Sequence, residues 1–237
     1  MTFYNLIRPM ITRGDVQNRD TVSSPALVEE AIGLEKDKYS KSSIMKFFYD
    51  SLDITIDRVV GNNNIKQVLD VGSAIGEVVA KLAIARPELS FISIDIMEEA
   101  IEVAKNRYGH IKNIDFRNND FIHDSINLQP DLILCLQTLE HIEDKSLLLF
   151  TTRLFELTDK AVILSVPREP FWCGANIVRL KYWRRLGNTP HHIQHWRKQS
   201  FVRFVSTIAR EKWGESNVEI TVLSPLKLWT LVSIVRI

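Results

Sequence analysis

The feature that most constrains this chain is the run from Lys66 to Glu77, KQVLDVGSAIGE. Gln67-Val68-Leu69-Asp70 leads into a loop with Gly72, Ala74 and Gly76, and a helical pattern, Glu77-Val78-Val79-Ala80-Lys81-Leu82, follows at once. That order spells a buried strand, a tight loop of small residues and a helix start. After a further stretch of about 20 residues, a spacing typical of nucleoside-binding folds, a second apolar run, Phe91-Ile92-Ser93-Ile94, ends in Asp95. Neighbouring parallel strands of this kind hold such a ligand beyond their carboxyl ends. Gly72 and Gly76 are expected to let the backbone approach the ligand where a Cβ would collide. Asp95 can accept hydrogen bonds from both hydroxyls of a ribose.

The spacing also narrows the ligand. A dinucleotide fingerprint is G-x-G-x-x-G, with the pyrophosphate on the helix N-terminus. Here the small residues fall at every second position, Asp70-x-Gly72-x-Ala74-x-Gly76, and an acid stands two residues before the first. A carboxylate facing the loop repels a pyrophosphate and suits an ammonium group. The order acid, loop, acid resembles the class I S-adenosylmethionine-dependent methyltransferases, whose usual loop is D/E-x-G-x-G-x-G; the chain departs from it at Ala74. A nicotinamide-dependent oxidoreductase is disfavoured by the same spacing.

Downstream of Lys66 the chain alternates. Strands are expected at about 66–71, 90–95, 113–118, 131–136 and 161–166, with helices at about 76–85, 97–107 and 143–157. Near-continuous apolar strands in a βαβα rhythm argue for a parallel sheet covered on both faces. Two more strands, about 216–223 and 228–236, are joined through Pro225 and suit a closing antiparallel hairpin. The resemblance implies a Rossmann-like, seven-stranded, mostly parallel sheet with an antiparallel last strand, helices on both faces and a helical N-terminal cap. Residues 1–60 are read as an arm and cap, and 61–237 as the methyltransferase domain. A short helix is expected at Pro25–Gly33, and a longer one from Ile44 to about Val60 with Ile44, Phe47, Phe48 and Leu52 on one face, ended by Gly61-Asn62-Asn63-Asn64.

Composition adds bounds. With 237 residues, 45% of them hydrophobic and a net charge of +1, one sizeable core is possible and no global pull toward nucleic acid or membrane is implied. Two cysteines without metal spacing, no long apolar run and no signal-peptide pattern fit a cytoplasmic protein.

Two further runs resemble the same family. After strand three comes Asn118-Asn119-Asp120-Phe121; the resemblance implies that Asp120 receives the adenine amino group and Phe121 packs on the ring, while an N-cap acid and a core Phe account for the pair equally simply. After strand four comes Leu136-Gln137-Thr138-Leu139-Glu140-His141-Ile142-Glu143-Asp144. The L-E-H run resembles methyltransferases of small molecules, including those of ubiquinone and menaquinone biosynthesis. The implied S-adenosylmethionine contacts are Asp70, Gly72, Ser73, Ala74, Gly76, Asp95, Ile96, Asp120, Phe121, Leu136 and Gln137. His141 is the candidate base and His192 the second, because an imidazole titrates near neutral pH; Glu140-His141 can equally be a structural pair at a helix entry. Related O-methyltransferases that hold a divalent ion carry E-x-x-E-H. Here Gln137 replaces the first glutamate, a weaker ligand for hard cations, so no metal is expected, although His191, His192 and His195 could add ligands.

Residues 167–198 interrupt the alternation with three tryptophans (Trp172, Trp183, Trp196), three histidines and, from 179 onward, six arginines and lysines. This is expected to be a substrate cover, with Arg168, Arg179, Arg184 or Arg185 available to a carboxylate or phosphate and Tyr39 within reach of the cofactor. The expected partner is a small-molecule methyl acceptor, methylated on oxygen, with no membrane and with nucleic acid disfavoured by the near-neutral charge. An RNA or protein methyltransferase, or a non-catalytic relative of the fold, stays open.

Overall fold

The computed structural model describes residues 43–178, 189 and 192–237. The expected helix at 25–33 and the residues Tyr39, Arg179, Trp183, Arg184, Arg185 and His191 lie outside them. In chain order the elements are α1 (Ser43–Asn63), β1 (Gln67–Val71), α2 (Glu77–Ala85), β2 (Ser90–Asp95), α3 (Glu98–Tyr108), β3 (Ile114–Asn118), β4 (Leu132–Leu136), α4 (Asp144–Leu157), β5 (Ala161–Pro167), α5 (Phe171–Val178), α6 (Lys198–Trp213), β6 (Val218–Leu223) and β7 (Trp229–Arg236), with short 3-10 turns at Leu139–His141 and Pro225–Lys227.

The strands form one seven-stranded sheet in the order β3-β2-β1-β4-β5-β7-β6. β1 to β5 pair in parallel, and β7 runs antiparallel to both of its neighbours. Parallel strands covered on both faces need apolar residues throughout, and β4 and β5 are buried along their whole length. One core lies under α4 and α6, with Phe150, Leu154, Phe204 and Ile208; the other lies under α1, α2 and α3, with Phe48, Leu52, Leu82 and Ile101. Strand order reverses between β1 and β4, the point at which open sheets of this kind hold a ligand in a crevice beyond the carboxyl ends.

Two helices depart from expectation. α1 runs through Gly61 to Asn63, so the boundary expected near residue 60 falls within it. It buries Phe48, Leu52, Ile56 and Val59, while Phe47 faces solvent. Arg86, almost fully buried, joins α1 to the end of α2 by reaching Asp53 at 3.0 Å and Asp57 at 2.6 Å. The second departure, α6, is absent from the sequence expectation. Its buried Phe201, Phe204, Val205, Ile208 and Ala209 recur at 3.6-residue spacing. Its polar start, Lys198-Gln199-Ser200, gave no cue that the preceding aromatic segment had ended. Gly214 closes it at φ +97°, donating to the Arg210 carbonyl.

Candidate active site

β1 and β2 pair so that Asp70 faces Ser93, and the loop after β1 is pinned to the end of β2. The N–H groups of Gly72 and Ser73 both donate to the Ile94 carbonyl, at 2.9 and 3.2 Å. Asp95 completes the clasp: Oδ2 accepts from the Ala74 N–H at 2.7 Å and Oδ1 from the Met97 N–H at 2.9 Å. Asn118 donates to the carbonyls of Asp95 and Ile96, fixing the next turn, while the Ile96 side chain is exposed. Gly72, Ala74 and Gly76 all take positive φ, 77°, 47° and 76°. For Ala74 that strained conformation is held by its bond to Asp95.

The chain itself also requires glycine at two of these positions. A Cβ on Gly72 would stand 2.4 Å from Thr138 Cγ2, and one on Gly76 would stand 2.6 Å from the Phe116 ring. Close packing within the chain and left-handed φ already demand glycine at both positions.

Asp70 and Asp95 are both buried. Burial first, and the neighbouring charge of Asp95 second, push the Asp70 carboxyl up to about 7. Burial also raises Asp95, against the lowering effect of backbone N–H bonds from Met97, Ala74 and Ile96. No donor among the described residues bonds the Asp70 carboxylate, so it is available to a cationic group.

Asp120 and Phe121 both fill the structural role expected of them. Asp120 caps its own turn: Oδ1 accepts from the N–H groups of Ile122 (2.8 Å) and His123 (3.1 Å), and Oδ2 pairs with His123 Nδ1 at 2.7 Å. These bonds outweigh partial burial and hold its carboxyl below the usual range. Phe121 is core, its ring 4.8 Å from that of Phe150.

Across the crevice, Leu136 ends β4 nearly buried, and Gln137 turns the chain at φ +55°. The Gln137 amide donates to Ser165 Oγ at 3.0 Å, so it turns toward β5. Thr138 packs against Gly72 and hydrogen-bonds toward the Val71 and Gly72 carbonyls. The 3-10 turn then places Glu140 inside, 1% exposed, and His141 outside. Burial pushes the Glu140 carboxyl up to about 8. A segment some fifty residues later is fastened to this turn. The Glu140 carbonyl accepts from the N–H groups of Ile193 (2.8 Å) and Gln194 (2.9 Å), and the Gln194 amide donates to the Ile142 carbonyl and to Asp144 Oδ1. His192 is thereby set edge-on to His141, with ring centroids 5.1 Å apart.

The rest of the 167–198 segment divides. Trp196 is a core residue against Phe201 and Phe204, so it does not cover a substrate as expected. Trp172 is half-buried against Trp229 and donates from Nε1 to Thr189 Oγ1. Arg168 lies over the Phe171 ring. His195 Nδ1 stands 3.8 Å from Glu169, not beside His141. Sequence reasoning missed Thr138 and Gln194, which join the parts of the site. Neither belongs to a motif, and only tertiary contacts reveal them.

A glycine loop between two buried strand-tip carboxylates can clasp a nucleoside and an ammonium, and an imidazole pair beyond it can handle a proton. Comparison with known proteins agrees with that description. Residues 62–208 match a family model described as a methyltransferase domain. The chain belongs to this family. The methyltransferase superposes on the plantazolicin methyltransferase crystallised with SAH (TM-score 0.71, 13% identity, 90% of this chain and 91% of that one). It also superposes on magnesium protoporphyrin IX methyltransferase from Synechocystis with bound SAH (TM-score 0.64, 17% identity, 92% and 98%). At those identities the likeness is one of fold, that of the class I methyltransferases. In sequence, 72 residues are 28% identical to the release factor glutamine methyltransferase of Aliivibrio fischeri, a match spanning 30% of this chain and 25% of that protein. Among the described residues no helix is long and apolar enough to cross a membrane.

Proposed function

We propose that this methyltransferase transfers the methyl group of S-adenosylmethionine to an oxygen of a small molecule, with sulfur, methyl carbon and acceptor held in line in the crevice between β1 and β4. The observation that carries the reading is the pair of buried carboxylates, Asp70 and Asp95, on either side of a loop clasped by its own backbone. In this reading Asp70 takes the ammonium of the donor and Asp95 the ribose hydroxyls, using the lone pairs its backbone partners leave open. Gly72, Ser73, Ala74, Gly76 and Ile96 form the loop wall, Leu136 and Gln137 face the sulfonium side, and Asp120 and Phe121 close the adenine end. His141, with His192 beside it, removes the acceptor proton. Helix α1 and the described residues of the 167–198 segment exclude water as cap and cover, and the setting is cytoplasmic.

The similar proteins are named for plantazolicin, magnesium protoporphyrin IX and a release-factor glutamine. A small acceptor is supported here by the net charge of +1, which offers no general attraction to a polyanion, and by the confined rim of Glu140, His141 and His192.

The test is calorimetric titration with S-adenosylhomocysteine. Asp95→Ala should weaken binding by at least ~100-fold, because a buried charged acceptor is lost; unchanged affinity removes the assignment. His141→Ala should lower turnover while leaving that affinity within about twofold, since the imidazole acts only on the acceptor side. Unaffected turnover would end its role as base.

A further inference from the structure

The sheet ends on two edges, and the two are finished differently. β3 has five residues and carries Asp115 and Arg117, both exposed and paired with each other at 2.7 Å. Short, charged edges resist pairing with another strand. β6 reads Val-Glu-Ile-Thr-Val-Leu, rich in β-branched residues, with no proline, no lysine and no bulge in its register with β7. Its one charge, Glu219, is turned to Arg58 of α1 at 2.6 Å. A native chain seldom leaves an edge of this composition bare.

Two bonds at the end of β7 show which groups of β6 are bare. The Ile237 N–H donates to the Asn217 carbonyl, and the Arg236 N–H to the Lys160 carbonyl. In an antiparallel ladder only residues directly opposite exchange bonds, and successive residues face alternate sides. With Val218 opposite Arg236 and Ala161 opposite Val235, the main-chain groups of Glu219, Thr221 and Leu223 point to β7, and those of Val218, Ile220 and Val222 point away from the sheet. Among the described residues nothing bonds to these outward groups. The side chains of the same residues pack against the core under α6, so the edge is held in place while its donors and acceptors stay free.

We propose that β6 pairs antiparallel with β6 of a second copy of this chain, about a twofold axis through Ile220. That register sets Ile220 opposite Ile220 and Val218 opposite Val222, so every outward N–H and C=O of one copy meets its counterpart on the other. A contact of this kind uses the same patch on both copies and closes as a dimer. Charge also favours a second copy as the occupant. Glu219 falls opposite Thr221 of the other copy, so no like charges meet across the axis. Antiparallel order then carries the exposed Glu215, ahead of one strand, toward the exposed Lys227, beyond the end of the other. β6 runs parallel to β5, so the crevices of the two copies come out at opposite edges of one continuous sheet, and neither is covered. The dimer rests on the sheet edge alone and does not depend on which acceptor is methylated.

Sedimentation velocity of the chain, from sub-micromolar to high-micromolar concentration, is expected to show a reversible monomer–dimer equilibrium. Amide exchange, run at each concentration and read residue by residue, tests the register. The N–H groups of Val218, Ile220 and Val222 should exchange freely in the dilute protein and gain protection as the dimer forms, while those of Glu219, Thr221 and Leu223 stay as they were. Thr221→Glu sets like charges opposite each other twice across the axis and should weaken dimerisation roughly 10-fold. Thr221→Lys faces Glu219 instead and should hold the dimer or tighten it. A monomer at every concentration, a dimer whose β6 amides exchange as in the monomer, or a dimer indifferent to the sign of the charge at position 221 overturns the pairing. Protection of the three outward amides in the dilute monomer overturns it too, since another part of the same chain then occupies the edge. If Thr221→Glu does not fold, the exchange pattern and the lysine variant carry the test.

Discussion

The two walls of the crevice are built in different ways. The β1–β2 wall comes from one continuous stretch, residues 67–97, and its contacts are mostly main chain to main chain or main chain to Asp95. The wall beyond β4 is put together from the turn at 138–144 and the segment at 192–196, about fifty residues apart, and depends on the Gln194 side chain. Each wall contains one buried carboxylate, Asp70 in the first and Glu140 in the second, and among the described residues no donor reaches Asp70 or Glu140 Oε2. The first wall is therefore a preformed clasp whose failure should abolish donor binding. The second is an assembly that can loosen while the clasp survives.

The sharpest way to break that contrast is at the clasp. Gly72→Val puts a branched side chain into left-handed φ and against Thr138, and should cost about 3–5 kcal/mol of stability, with loss of detectable S-adenosylhomocysteine binding. Thermal melts and calorimetry check it, and Thr138→Ala in the same chain should recover only the steric part. Next is Asp95→Asn, which turns an acceptor into a donor facing an N–H group. About 2–3 kcal/mol of donor affinity should go, with acceptor-side residues unaffected.

A third test uses pH. The Asp70 carboxyl, held near 7 by burial, is protonated in more acid solution. An ammonium prefers the ionised form, so donor affinity should rise by up to ~10-fold per pH unit below about 7 and then level off. Stability of the empty protein runs the other way: the native state keeps a proton that the unfolded chain releases near 3.8, so stability falls as pH climbs from about 4 to 7. Asp70→Asn should flatten both profiles. The smallest effect sharpens the contrast from the opposite side. Gln194→Ala should cost about 1–2 kcal/mol of stability and raise the acceptor KM, while donor affinity stays within about twofold. Equal losses on both sides would mean that the walls are one unit.

The same contrast explains what could be read from the sequence. Strands β1 to β5 and the two strand-tip acids were legible, because a strand and the loop after it declare themselves within a dozen residues. Asp120 was read two ways, since its own turn and a ligand both ask for an acceptor; the bonds to Ile122 and His123 show the turn role. The packing reason for the glycines was hidden because it lies in Thr138 and Phe116, far along the chain. Glu140, His141 and His192 were all named from the sequence, but that His192 rather than His195 joins the pair was hidden for the same reason. Helix α6 carried a clear apolar periodicity that went unread beside the aromatic residues before it.

Thr138 gives this chain an unusual economy. One small side chain stands between the glycine loop and the turn that begins at Leu139, touching the first and introducing the second. Divergence toward new acceptors is thus free to remodel residues 167–198 and the rim, but position 138 must keep its size. A larger residue would unseat the loop, and a smaller one would lose the contacts that tie it to the turn.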